Sequence, residues 1–382
     1  MAKNKIKKLG ILVGGGPAPG INGVIRSATI EAVNRGMEVV GLMDGFEPLI
    51  EGDFSRVKKL GINDVSRIHT LGGSILRTSR AGPAAMEPLL QKVAKNLRLL
   101  KIDYLITIGG DGTAYSSYQV SKKTKGRVGV VHVPKTIDND LPLPGLMPTF
   151  GFHTARHVGT GLVQSLMEDA KTFPPRWYVV VTMGRRTGHL AMGIGKAAGA
   201  HLTLIGEEFA GGKTKLSDVC TIIENSILKR LKMKKPYGVV VISEGMAAFV
   251  SDLKSLVAVK MDNRGRPDYT EFKLSEIVRN ELRKRFKKRG IKMQIIAKDI
   301  GYELRSAPPV PFDAEYTQDL GFAAVRYLQT GKTGALMTIQ RGGSSYPIPL
   351  STLLVKSKKH LKIRYFDINS ESYSCAKSYM IR

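Results

Sequence analysis

A chain of 382 residues with 42% apolar residues is long enough for two lobes rather than one small core, and its net charge of +27 would suit a polyanionic ligand. No apolar run approaches the about 20 residues that span a bilayer. Two cysteines, Cys220 and Cys375, without a CxxC motif or paired histidines, argue against disulfides and structural zinc.

The opening MAKNKIKKLGILVGGG joins a basic start to an apolar stretch too short for a secretory leader, so Ile6–Val13 reads as a first strand of a cytosolic protein. Gly14–Gly20 is a turn that opens a helix from about Asn22 to Gly36. Pro17 and Pro19 break the GxGxxG spacing, and no acidic residue closes the strand at Val39–Leu42, which speaks against a dinucleotide. After a basic and apolar stretch from Gly45 to Ile68 comes LGGSILRTSR at 71–80, with Arg77 and Arg80 on a glycine-preceded loop. In 84–100, Met86, Leu89, Leu90, Val93, Leu97 and Leu100 recur at helical spacing and predict packing only.

The centre of the chain is 105–141, read as LITIGGDGT, a polar spacer and VGVVHVPKTIDNDL. Each half is an apolar run feeding a loop of glycines and carboxylates, which is how a parallel α/β sheet presents its chemistry. Gly109, Gly110 and Gly112 let backbone N–H groups close on a phosphate, and a helix starting near Thr113 adds its positive dipole end. Asp111 among such amides calls for a cation, and Mg²⁺ held by a carboxylate and phosphate oxygens is the expected one. Asp138 and Asp140, with Lys135 and Thr136 before them, supply a candidate base, a cation and a hydroxyl for phosphoryl transfer.

Beyond this, 149–170 reads as a glycine-broken helix with Phe152, Leu162, Val163, Leu166 and Met167 on its buried side, and as the crossover between lobes. His153 and His157 lack the glutamate of HExxH and read as structural or surface histidines. A second apolar strand ends in a loop with Arg185 and Arg186, and strand Gly238–Ile242 ends in Ser243, Glu244 and Gly245. The segment 271–289 is a basic amphipathic helix, read as a core helix with a solvated back rather than a membrane-surface one. Strand Ile295–Ile300, helix Phe312–Gln329 and strands to Arg382 complete the chain, the last stretch showing no chemistry. The lysines and arginines are scattered, densest in RKRFKKRG and VKSKKHLKIR, with no nucleic-acid motif; they predict a solvated face, and no nucleic acid or membrane partner.

GGGPAPG, GGSILRTSR, GGDGT, PKTIDND, MGRRTGH, ISEG and GYELRSAPPVPFD stand in this order over nearly the whole chain, and together they resemble the phosphofructokinases. The likeness is to the bacterial subgroup that contains both ATP-using and diphosphate-using enzymes. It implies an α/β fold of two Rossmann-like three-layer lobes with mainly parallel sheets. Residues 1–150, completed by roughly 306–355, would hold the donor; residues 151–305, completed by roughly 356–382, would hold the sugar phosphate. A homodimer or homotetramer is implied, since Arg176 matches a position that reaches a neighbouring subunit's sugar phosphate.

By this resemblance Gly15, Arg80, Ala81, Gly110, Asp111, Gly112 and Thr113 bind the donor, with Mg²⁺ on Asp111 aided by Asp140. Thr136, Asp138, Arg176, Met183, Gly184, Arg185, Glu244, Lys298, Tyr302 and Arg305 bind the sugar phosphate. Asp138 would take the proton of the 1-hydroxyl of fructose 6-phosphate, while Arg80, Thr136 and Lys135 stabilise the transferring group. The chain departs from the family at Pro17, at Tyr302 and at Ile296, where Lys298 nearby offers the charge. Gly112 resembles the ATP users, because a carboxylate there would meet the α-phosphate; Lys135 resembles the diphosphate users. The expectation is ATP, with diphosphate as the alternative and a non-catalytic sugar-phosphate-binding paralogue as a third reading.

Overall fold

Strands, and helices of nine residues or more, are numbered along the chain. The computed structural model describes residues 6–253, 272–340, 342–355 and 360–382. It divides into two units: residues 1–137, 141–154 and 305–363 form one, and residues 138–140, 155–304 and 364–382 the other.

The first unit is built on seven strands. They are β1 (Lys8–Val13), β2 (Glu38–Leu42), β3 (Val57–Leu60), β4 (Tyr104–Gly109), β5 (Gly129–Pro134), β10 (Ala335–Ile339) and β11 (Ser345–Pro349), in the order β11-β10-β5-β4-β1-β2-β3. All neighbours run parallel except the two edges, β2 with β3 and β10 with β11. The inner strands are apolar without alternation because both faces are covered. Helices α1 (Ile21–Asn34) and α8 (Pro311–Gln329) lay Ile21, Val24, Ile25, Leu320 and Ala324 on Leu9, Ile11 and Val13. Helix α2 (Glu87–Leu99) packs Leu90, Val93 and Leu97 with Leu12, Leu42 and Leu105. Helix α3 (Asp111–Thr124) links β4 to β5.

The second unit has β6 (Arg176–Thr182), β7 (Leu202–Leu204), β8 (Tyr237–Ser243) and β9 (Gln294–Ile300), parallel throughout and ordered β7-β8-β6-β9. Helices α6 (Leu216–Lys232) and α7 (Leu274–Lys288) bury Ile223, Ile227, Val278, Leu282 and Phe286 against Trp177, Val179, Val240 and Ile242. The expected helix over 271–289 is therefore present from Leu274, its first position lying outside the described residues. Helix α5 (His189–Ala198) follows β6.

The sequence reading needs correction in two places. Helix α4 (Phe152–Thr172) is continuous, not broken at its glycines: Gly159 is where Ile194 packs, leaving no room for a β-carbon. The tail does not end in strands. Glu371–Tyr379 is helix α9, capped by Ser370, whose hydroxyl accepts from Tyr373 N at 3.2 Å. His153 lies against the ring of Phe312, centroids 4.2 Å apart, and among the described residues no group of three acidic, histidine or cysteine side chains could hold a metal. No described helix is long and apolar enough to cross a membrane.

Trp177 is the single tryptophan of the chain and fully buried, and a β-carbon at Gly238 would stand 2.6 Å from its ring. We predict that Gly238→Ala destabilises the second unit by about 1–3 kcal/mol, the usual cost of overpacking a filled core. Urea unfolding followed by tryptophan emission should show an earlier transition; an unchanged midpoint would mean that the packing at Gly238 yields freely.

Candidate active site

In the first sheet the chain leaves β1 toward β2 on one side and meets β4 on the other, so the strand order reverses between the carboxyl ends of β1 and β4. Such a reversal is where open α/β sheets bind ligands. The loops there are tied to one another. Gly14 N donates to Ile108 O at 2.8 Å, Gly15 N to Ser79 O at 2.7 Å, and Thr78 Oγ1 to Gly15 O at 2.6 Å. The segment before Arg80 is thereby pinned to the first glycine loop, with the Arg80 side chain exposed beside it. Ala81 N donates to Ser79 Oγ at 3.3 Å.

Gly15 has φ 86°, a left-handed value that suits glycine, and both it and Gly16 face cations. A β-carbon at Gly15 would lie 3.3 Å from Lys135 Nζ, and one at Gly16 would lie 3.2 Å from Arg305 Nη2. Lys135 is nearly buried at 3% exposure; its ammonium donates to Gly16 O, and its backbone N donates to Gly109 O at 2.8 Å. A side-chain-free loop between an ammonium and a guanidinium is a cradle for a phosphate-like anion. The guanidinium of Arg305, expected with Tyr302 on the sugar phosphate, lies at this glycine loop.

Helix α3 begins at Asp111, earlier than the expected start near Thr113, so Asp111, Gly112 and Thr113 form its first turn with Gly110 as the cap. The N–H groups of Asp111 and Gly112 are among those a helix leaves without intrahelical partners, whereas Thr113 N donates to Gly110 O at 3.1 Å. Thr113 is buried, its hydroxyl against Gly14 and Gly109, and so packs the two glycine loops together. Asp111 Oδ1 accepts from Leu361 N at 2.7 Å. Mg²⁺ needs only one or two carboxylates when phosphate oxygens fill its other positions, so a carboxylate at a helix start, as at Asp111, suits that role. Thr136 is fixed through its carbonyl, which accepts from Thr149 Oγ1 at 2.7 Å.

Beneath these loops is a buried polar chain that the sequence reading missed. His132 Nε2 lies 2.9 Å from Gly109 O, and its Nδ1 lies 2.9 Å from Thr107 Oγ1. Thr107 Oγ1 is 2.6 Å from Ser117 Oγ, which in turn is 2.7 Å from Thr113 O. The chain therefore joins the end of β4 to the first turn of α3. Since a carbonyl can only accept, Nε2 carries the hydrogen. Complete burial pushes the imidazole down to about 3, so it is neutral.

In the second unit, β6 is flanked by β8 and β9, and three carboxyl ends again supply the polar groups. Met183 N donates to Ile300 O at 3.0 Å, and the Met183 side chain covers Gly301. Glu244 Oε1 accepts from Gly184 N at 3.1 Å and from Arg185 N at 2.6 Å. Burial, and next the Asp138 carboxylate, push Glu244 up to about 8 against the pull of these two donors. It is thus chiefly a neutral acid at pH 7, with a hydroxyl to donate. Arg185, at φ 53°, places Nη1 3.9 Å from Asp140 Oδ2, and Thr187 Oγ1 donates to Asp138 O at 3.1 Å. Asp138, Asp140, Gly184, Arg185 and Glu244 are therefore brought together, a chemically sensible set for a polyhydroxylated ligand.

Lys298 and Tyr302 are both exposed, the first on edge strand β9 and the second just after it. Arg176 is not with this group. It opens β6 at the end opposite Met183, about 20 Å away at a strand's usual rise. There it is held by Asp169 at 2.5 Å, by Gln294 Oε1 at 2.8 Å and by the ring of Phe173 at 4.6 Å.

The sequence profile of the phosphofructokinase family matches residues 8–328. A Thermotoga maritima protein named pyrophosphate–fructose 6-phosphate 1-phosphotransferase is 50% identical over 383 residues, covering 98% of this chain and 91% of that one. One of the same name from Naegleria fowleri is 48% identical, covering 99% and 88%. An ATP-dependent 6-phosphofructokinase 3 of Bacteroides thetaiotaomicron is 30% identical, covering 92% and 94%. Among solved structures, a pyrophosphate-dependent phosphofructokinase from Nitrosospira multiformis superposes with a TM-score of 0.73 at 18% identity, over 98% of this chain and 90% of that one. Pichia pastoris phosphofructokinase gives 0.71 at 22% identity over 92% of this chain, which spans only 35% of that longer one. At such identities the structural likeness shows the fold alone.

A second prediction follows from the buried imidazoles. His132 is held down to about 3 and His189 and His201 to about 4, all by burial first. Below pH about 6.5 the unfolded chain binds protons that these folded-state groups refuse. Their contribution therefore weakens stability as pH falls from about 6.5 toward 4, by up to about 1.4 kcal/mol per pH unit for each group. The urea midpoint should drop between pH 7 and pH 5, and His132→Gln should show a smaller drop than the parent chain. Equal drops would mean that His132 is protonated in the folded state.

Proposed function

The chain belongs to the phosphofructokinase family, and from that premise we propose that it transfers a phosphoryl group from diphosphate to the 1-hydroxyl of fructose 6-phosphate, forming fructose 1,6-bisphosphate. The observation that carries the choice of donor is the 50% and 48% identity to two proteins named for diphosphate, against 30% to one named for ATP. This departs from the expectation of ATP drawn from Gly112. A glycine in the first turn of α3 leaves space for an α-phosphate, but space alone builds no contact to a nucleoside. Lys135, which marks the diphosphate users in the resemblance, is buried with its ammonium at the first glycine loop.

In this reading the N–H groups of Gly110 to Gly112, the glycine loop at Gly15 and the charges of Lys135, Arg80 and Arg305 hold the donor. Mg²⁺, carried on Asp111, would neutralise phosphate charge. Asp138 accepts the proton of the sugar hydroxyl, Glu244 donates to another hydroxyl and Arg185 adds positive charge, while Thr136 and Asp140 complete the turn. Little covalent work is asked of the protein, which acts by positioning and electrostatics. The resemblance places Arg176 on a sugar phosphate of a second subunit, which suits its separation from Glu244 and Asp138 within one chain. We accordingly propose a homodimer or homotetramer.

Steady-state assays at equal Mg²⁺ should give a kcat/KM for diphosphate at least tenfold above that for ATP; a preference for ATP would overturn the donor assignment. Gly112→Asp should lower any residual ATP use by roughly a hundredfold, equivalent to about 3 kcal/mol, and spare diphosphate. Asp138→Asn should lower kcat by about two to four orders of magnitude with fructose 6-phosphate binding kept within a few-fold. Wild-type turnover in that variant would remove Asp138 from the role of base.

A further inference from the structure

The tail after residue 363 looked chemically silent in sequence, yet it grips the turn that carries the base. Asp138, Asn139 and Asp140 form a tight, nearly buried turn with Asn139 in the left-handed region at φ 55°. All three of its carbonyls are taken from outside it. Asp138 O accepts from Thr187 Oγ1 at 3.1 Å. Asn139 O accepts from Arg364 Nε at 3.1 Å and Nη2 at 3.0 Å, and Asn139 Oδ1 also accepts from Nη2. Asp140 O accepts from the backbone N of Arg364 at 2.8 Å. One residue thus holds two successive peptide units and a side chain.

Arg364 is itself anchored. Its carbonyl accepts from His189 Nε2 at 3.0 Å, and Phe366 N donates to Glu207 Oε1 at 2.9 Å, the oxygen that also accepts from Gly188 N at 2.9 Å. His189 is neutral, held down to about 4 by burial, and its Nε2 carries the hydrogen because its partner is a carbonyl. Residues 188 and 189, at the start of α5, therefore set where the guanidinium sits. A planar fork that places two N–H groups on one carbonyl and reaches a second acceptor is a geometry that a lysine ammonium does not reproduce.

We propose that Arg364 is a positioning residue for phosphoryl transfer: it fixes the Asp138–Asp140 turn so that the Asp138 carboxylate meets the sugar hydroxyl in the reactive orientation. This rests on the reading of Asp138 as the base. Misplacing a reacting group by about 1 Å costs on the order of a hundredfold in rate. Arg364→Ala should lower kcat by roughly tenfold to a hundredfold with either donor, and should leave the KM for fructose 6-phosphate within a few-fold.

Four measurements separate positioning from general damage. Added guanidinium should restore part of the kcat of Arg364→Ala, whereas Arg364→Lys should stay slow. In a double-mutant cycle, Arg364→Ala should add little to Asp138→Asn, since the base through which it acts is already gone. Amide hydrogen exchange over residues 136–142 should quicken in Arg364→Ala and not in Asp138→Asn. Should Arg364→Ala fail to fold, Asn139→Gly tests the same contact. It keeps the left-handed turn and the Asn139 carbonyl but loses Oδ1, and should show a smaller fall in kcat alone. Wild-type kcat in Arg364→Ala, or a loss unmoved by guanidinium and fully additive with Asp138→Asn, would overturn the proposal. If Asp138→Asn itself keeps its turnover, the assignment of the base fails instead, and the exchange result still reports whether Arg364 orders the turn.

Discussion

A parallel sheet releases its chain at one edge only, and that constraint places nearly every polar group described above. Each strand runs apolar and doubly covered, then ends where backbone N–H and C=O groups can no longer pair with a neighbour. Where consecutive strands depart in opposite directions, as β1 and β4 do in one unit and β6 with its neighbours in the other, no helix crosses directly above the strand ends. Glycines, charges and helix starts collect there because only there can they be both ordered and open to a ligand. The glycine loops of one unit and the carboxylate-rich group of the other are two uses of one topological rule.

The fold was legible in sequence because its strands are unalternating apolar runs that stop at glycine or at charged loops, as 105–113 and 128–141 do. Helix spacing placed α2, α7 and α8 within a few residues of their ends. Gly159 of α4 misled, since a glycine inside a helix reads as a break when its reason is a neighbour's side chain, here Ile194, far away in sequence. The tail misled for a different cause: Arg364 is one of 59 lysines and arginines, and nothing in KIRYFD marks it off from a solvated basic run. His132 was invisible in the same way, an imidazole in an apolar strand whose partners, Thr107 and Gly109, lie on another strand. Sequence spacing finds residues that share a loop; it does not find those that support the loop from beneath.

Charge was informative in sign rather than in place. The +27 of the chain is spread over solvated faces, and arginines such as Arg56, Arg285 and Arg289 spend their charge on neighbouring carboxylates. What sets the buried charged side chains at the strand ends of each unit apart is desolvation. Lys135 keeps its ammonium against a backbone carbonyl, and Glu244 gives up its charge near neutral pH because Asp138 and burial act together on it. Environment, and not residue type alone, decides how such a strand-end group titrates.

The polar chain under the glycine loops is one hydrogen short of its contacts. Setting aside the longer 3.4 Å approach of Thr107 to Val131 O, four contacts run from Gly109 O through His132, Thr107 and Ser117 to Thr113 O. A neutral imidazole and two hydroxyls bring three hydrogens. The first goes to Gly109 O, and the second, from Thr107, to Nδ1. The Ser117 hydroxyl is then left to choose between Thr107 Oγ1 and Thr113 O. A protonated imidazole would make up the shortfall and point every contact outward from the ring, but burial opposes it. The end of β4 and the first turn of α3 are thus coupled through a hydroxyl rotor, and the torsion of the Ser117 O–H decides which of the two contacts carries the hydrogen.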